Sequence, residues 1–125
     1  MFNNSVREQF IAEAFSYYKN LGKMRCAVLE NEPIIFGDSG FTHLMRKGRK
    51  TRPFSEMRRR MNLLRHVPSI IGSDKTIHTK TISNNSTYGT ITYFSLINSI
   101  DNIKIKLILR QYGTGNIHFL SIMTI

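Results

Sequence analysis

Apolar side chains recur at helical spacing in the first half of the chain and at period two in the second. Val6, Phe10, Ala14, Tyr17 or Tyr18 and Leu21 fall on one stripe, which predicts a helix over 5–21 that stops at Gly22. Arg25 to Leu29 and Pro33 to Phe36 are short apolar runs, each long enough for a strand. Asp38 or Ser39 can cap a short helix that buries Phe41, Leu44 and Met45 and ends at Gly48. Pro53 opens a stronger amphipathic helix with Phe54, Met57, Met61, Leu64 and Ile71 on its stripe, and Pro68 should end or kink it.

After Gly72 the alternation changes. Thr76 to Ile82, Tyr88 to Ile97, Ile103 to Gln111 and Ile117 to Ile125 read as four strands, with turns at 83–86, 99–102 and 112–116. Ile105, Leu107 and Leu109 should face the core. On the last strand, strict alternation puts His118, Leu120, Ile122 and Thr124 on one face and Ile117, Phe119, Ser121 and Met123 on the other. Both faces are mostly apolar, which predicts a central strand. The expected fold is α+β: amino-terminal helices packed on a carboxy-terminal antiparallel meander of about four strands. It is a single domain over 1–125, mostly helical through 71, with the sheet over 76–125.

Length and composition fit that picture. The 125 residues are 41% hydrophobic and 21% charged, enough for one core and too apolar for a disordered tail. No apolar run approaches the roughly 20 residues that cross a bilayer. Met1-Phe2-Asn3-Asn4-Ser5 is not a basic segment leading into an apolar stretch, so no secretory signal is expected. A single cysteine, Cys26, makes no internal disulfide, and a reducing, cytoplasmic setting is the simpler expectation.

Charge changes the picture most. The net is +10, but residues 1–38 hold four basic and five acidic side chains, a net of −1, whereas residues 39–125 hold fourteen basic and three acidic, a net of +11. Nine of those bases lie between Arg46 and Arg65, with Glu56 as the one acid among them. A field focused in this way attracts polyanions, and nucleic acid is the default partner.

The chain has no Gly-rich phosphate loop, no dinucleotide fingerprint and no calcium loop. Carboxylates after residue 38 are Glu56, Asp74 and Asp101 only, too few for a two-metal nuclease. Nucleic-acid cleavage by this chain is therefore expected to use RNA, whose 2′-hydroxyl supplies the nucleophile, and to need no cofactor. In Gly40-Phe41-Thr42-His43-Leu44-Met45-Arg46-Lys47, His43 and Lys47 sit one helical turn apart, and a nearby cation keeps imidazole neutral and basic. His43 is thus a candidate general base or phosphate-positioning group, against the plainer reading of a surface histidine. In Arg52-Pro53-Phe54-Ser55-Glu56-Met57-Arg58-Arg59-Arg60-Met61-Asn62-Leu63-Leu64-Arg65, one helix flank presents Arg58 and Arg65 to phosphates, while Arg59 and Arg60 point to water. Arg52 and Lys47 add to the RNA-binding set. Ser121 is either a satisfied core serine or an active-site hydroxyl, and His118 either a packed or a catalytic histidine.

The order of these segments resembles the barnase–EndoU–colicin–RelE superfamily of small metal-independent ribonucleases, above all its phage-borne and bacterial toxin members. The likeness runs over roughly 35–123: Gly-Phe-Thr-His-Leu, then Ser-Glu-Met-Arg-Arg-Arg-Met-Asn-Leu-Leu, then a meander ending in His-Phe-Leu-Ser-Ile-Met. The resemblance implies helices on a curved sheet, cleavage of tRNA or mRNA by 2′-hydroxyl attack, and restraint by an immunity protein or antitoxin. Position by position it implies catalytic roles for His43, Arg58 and Ser121. It assigns no leaving-group acid, for which Lys80, Tyr88 and His118 are the candidate residues, and Tyr88 also joins the RNA-binding set. The competing expectation is a non-catalytic nucleic-acid binder in which 41–47 and 53–67 form a helix-turn-helix pair.

Overall fold

The alternating segment beyond residue 76 pairs as long antiparallel strands. The computed structural model describes residues 4–125; residues 1–3, where the reading of the amino terminus begins, lie outside the described residues. Strands β5 (Ile77–Asn85), β6 (Gly89–Ile100), β7 (Ile103–Tyr112) and β8 (Ile117–Thr124) form the expected meander.

The sheet is larger than the sequence pattern predicts. β1 (Lys23–Cys26) and β2 (Glu32–Ile35) pair with each other, and β2 adds to β8 in parallel through Ile34↔Ile117 and Ile35↔His118. The six strands run β1-β2-β8-β7-β6-β5, so the sheet is mixed rather than a four-stranded antiparallel meander. The physical reason lies in β8: it is apolar on both faces, as an interior strand is, and the short run at 32–35 occupies its second edge, with 23–26 paired beyond it. That pairing spans about 80 residues of chain, which period alone does not specify.

Among the described residues four α-helices complete the fold: α1 (Asn4–Leu21), α2 (Asp38–Met45), α3 (Phe54–Asn62) and α4 (Val67–Gly72). None is long and apolar enough to cross a membrane. They pack on one face of the sheet. Tyr18, Phe41, Leu44, Met57, Met61, Leu64, Ile70 and Ile71 join Phe94, Leu96, Leu107, Leu109 and Phe119 in a single buried cluster. Tyr18 rather than Tyr17 is the buried member of the α1 stripe. Its hydroxyl donates to the Gly37 carbonyl at 2.6 Å, and burial pushes its ionisation well above the ordinary tyrosine value. The helix expected over 53–67 is broken: α3 tightens into a 3₁₀ turn at Leu63–His66, and the chain restarts as α4 with Pro68 in its first turn. A proline has no N–H to donate but costs nothing in a first turn, so Pro68 begins a helix instead of ending one.

Two glycines set where α2 lies and how it connects to α3. Gly48, at φ +63°, turns the small hairpin of β3 (Arg46–Lys47) and β4 (Lys50–Thr51) that links the two helices. Gly40 lets α2 lie directly against β8. A Cβ there would fall 2.5 Å from the Tyr18 hydroxyl, 2.6 Å from the Phe119 carbonyl oxygen and 2.8 Å from the Phe119 ring. Gly40→Ala is therefore expected to cost about 2–3 kcal/mol by overpacking. Urea unfolding of the purified variant checks this, and an unchanged midpoint would mean that α2 sits more loosely on the sheet.

Candidate active site

The two faces of the sheet differ in covering. Phe94, Leu96, Leu107, Leu109 and Phe119 lie under the helices, while Tyr93, Ser95, Lys106, Ile108, Arg110 and His118 alternate onto the other face and stay partly exposed. Arg110 of β7 lies directly across from His118 of β8 and, on its other side, from Tyr93 of β6. α2 reaches this face along the edge of β8. Its buried side carries Phe41 and Leu44, as the periodicity predicts, together with Gly40, whereas Met45 is only half-buried; Ser39 and His43, one turn apart, lie on another side.

Two adjoining depressions result. One, of about 230 Å³, is lined by Gly37, Ser39, Gly40, Arg110, Tyr112, His118 and Phe119. The other, of about 380 Å³, is lined by Ser39, Thr42, His43, Arg46 and Gly48. Ser39 is common to both, so two imidazoles and two arginines border a single seam between α2 and the sheet. Partial burial first, then the charges of Arg110 and Arg52, hold the His43 pKa below the ordinary imidazole value, which favours its neutral form. The expected direction holds, but its cause is not a Lys47 one turn away. α2 ends at Met45, which leaves Lys47 exposed on the β3–β4 hairpin.

A charged cluster fixes the end of α2. The Arg52 guanidinium donates to the His43 carbonyl at 3.1 Å and to Glu56 Oε1 at 2.8 Å, with its side chain only 9% exposed. Glu56 also meets Arg60 at 3.4 Å. Arg60, expected in water, instead turns inward and donates to the Ser121 Oγ and to the Ile122 carbonyl, both at 3.1 Å. Burial and the charge of Arg52 pull its pKa down, Glu56 opposes them, and among the described residues its Nε has no acceptor. Removing the carboxylate by Glu56→Gln leaves two largely buried guanidiniums facing each other. The expected loss is roughly 1–3 kcal/mol, below that of a fully buried pair because Glu56 retains water contact. Urea unfolding at low and high salt checks it; a loss that disappears at high salt would contradict a buried cluster.

The expected site residues are thus sorted by the fold. His43 and His118 line two adjoining depressions that meet at Ser39. Tyr88 is joined to the same face, its ring 5.0 Å from that of Tyr112, which in turn lies under the Arg110 guanidinium at 4.9 Å. Arg52 is occupied in holding α2. Ser121 is 8% exposed, lines neither depression and accepts from Arg60, which fastens α3 to β8. A bulge explains its placement: Ile108 pairs with Ser121 and Leu109 with Phe119, so Leu120 is an extra residue and the strict alternation fails beyond it. Phe119 and Ile122, not Phe119 and Ser121, share the core.

Three other residues lie apart. Arg58 is exposed on α3, and neither depression includes it. Arg65 borders a groove against α1 with Phe10, Glu13 and Tyr17, its Nε donating to His66 at 3.2 Å. Lys80 pairs with Phe94 and so belongs to the opposite face from Arg110. It lines a larger cavity of about 510 Å³ with His78, Glu30, Glu32 and Gln111.

Arg110 is the residue that sequence reasoning passes over. The signal is present: if Ile105, Leu107 and Leu109 face the core, then Arg110 faces away beside the start of the last strand. Among the described residues no three His, Cys, Asp or Glu side chains gather into a metal-holding group. Comparison with known proteins makes no assignment, since no family model, curated protein or solved structure matches the chain.

Proposed function

We propose that this protein is an endoribonuclease that cleaves by internal 2′-hydroxyl attack. The observation that carries the reading is the seam itself, where neutral His43 on α2 and His118 on β8 flank Arg110 on an uncovered basic face. His43 takes the proton of the 2′-hydroxyl, and the 2′-oxygen attacks the adjacent phosphorus. Arg110 neutralises the charge that builds on the phosphoryl oxygens. His118 gives a proton to the departing 5′-oxygen as the P–O5′ bond breaks. The products are a 2′,3′-cyclic phosphate and a 5′-hydroxyl, and the two histidines have exchanged protonation states.

The +11 net charge of residues 39–125 and the resemblance over 35–123 support the same reading. In that setting the substrate is tRNA or mRNA, the protein is a cytoplasmic toxin, and an immunity protein or antitoxin restrains it. Binding without cleavage is the competing reading, but α2 and α3 are joined by a β-hairpin and not by the short turn of a helix-turn-helix. Matched RNA, 2′-O-methyl RNA and DNA of one sequence, incubated with the protein in EDTA, separate the two. The proposal predicts scission of the unmodified RNA alone. Scission of all three, or of none, would overturn it.

A further inference from the structure

Tyr88 and Tyr112 continue the seam away from α2. Their rings are 5.0 Å apart and inclined by 37°, and they are 60% and 39% exposed, so this aromatic pair is in tilted contact and uncovered. The Arg110 guanidinium lies 4.9 Å over the Tyr112 ring. Tyr112 also lines the same depression as Arg110 and His118. The order along the open face is therefore ring, ring, guanidinium, imidazole. Two hairpin ends create it: Tyr88 precedes β6, Tyr112 closes β7, and β6–β7 pairing brings Ile91 opposite Tyr112.

Exposed aromatic rings beside a guanidinium match one repeating unit of a polynucleotide, a base next to its phosphate. The base must be unpaired, because the faces of a paired base are covered by its neighbours in the helix. We infer that Tyr88 and Tyr112 form a base-stacking subsite, and that the site takes single-stranded RNA, with a base near the scissile phosphate resting on the tyrosine pair. This deepens the ribonuclease reading, and the placement of the scissile phosphate rests on it. The stacking itself does not.

The test uses a probe that cannot be cut. A fluorescein-labelled 12-nucleotide 2′-O-methyl RNA is titrated with the protein by anisotropy at fixed salt, as a single strand and as a duplex with its complement. Tyr88→Ala and Tyr112→Ala should weaken single-strand binding by roughly 5- to 100-fold and leave duplex binding within about twofold, whereas Tyr112→Phe should bind as the wild type does. Both tyrosines are well exposed, and thermal unfolding confirms that the variants are folded. Unchanged single-strand binding in both alanine variants would overturn the inference, as would an equal loss for strand and duplex, which marks a general charge or folding effect. If the wild type cuts no RNA but the alanine variants still lose single-strand affinity, the stacking subsite stands and the ribonuclease reading falls.

Discussion

His43→Ala is expected to lower kcat for RNA cleavage by roughly 10²- to 10⁴-fold, the usual worth of a positioned general base. The histidine sits in the last turn of α2, half-buried, with Phe41 and Leu44 carrying the packing of that helix. Alanine is the better helix former, so the variant should fold as the wild type does. Binding of uncleavable 2′-O-methyl RNA should change by less than about threefold, because phosphate attraction comes from the surrounding lysines and arginines. Steady-state cleavage of a short RNA, measured beside binding, checks both halves. Loss of binding in proportion to loss of rate would make His43 a docking residue and not the base.

Arg110→Ala is expected to cost roughly 10²- to 10³-fold in kcat, as removal of one donor to a developing oxyanion does elsewhere. A second consequence separates it from a mere loss of packing. The Arg110 charge helps to hold His43 below its ordinary value, so removing it raises the His43 pKa. The base must be unprotonated to act, so the acid limb of kcat/KM should move to higher pH in Arg110→Ala. Arg110→Lys keeps the charge and should leave that limb near its wild-type position while losing the paired geometry of guanidinium. Rate profiles from pH 4.5 to 8 decide the matter. An acid limb that stays fixed in Arg110→Ala would mean that another group sets it.

Much of the fold is written locally. The helical stripes, the change to period two after Gly72 and the meander of β5 to β8 follow from spacing alone, and the apolar character of both faces of β8 marks it as central. The parallel partner of β8 does not follow from spacing, because β2 is four residues long and joins it across most of the chain. The site divides along the same line. His43 and His118 are visible as residue types in the right segments. Strict alternation misplaces Ser121 because the bulge at Leu120 breaks it, and no residue type announces that bulge. Arg60 reads as a solvated arginine because helical spacing says nothing of a strand edge that offers the Ser121 hydroxyl and the Ile122 carbonyl. Lys47 reads as a helical neighbour of His43 because a glycine such as Gly48 can stop a helix as readily as it turns a hairpin. In each case a contact distant in sequence, or a turn that spacing does not distinguish, replaces the nearby one.

The central claim is that ribose supplies the nucleophile between two imidazoles. The most direct measurement is the chemistry of the cut ends after total RNA is incubated with wild-type protein in EDTA and, in parallel, with His43→Ala. The account predicts a 2′,3′-cyclic phosphate on one fragment and a 5′-hydroxyl on the other, produced by the wild type and nearly absent with the variant. Fragments bearing 3′-hydroxyl and 5′-phosphate ends, or equal cleavage by both proteins, would contradict it.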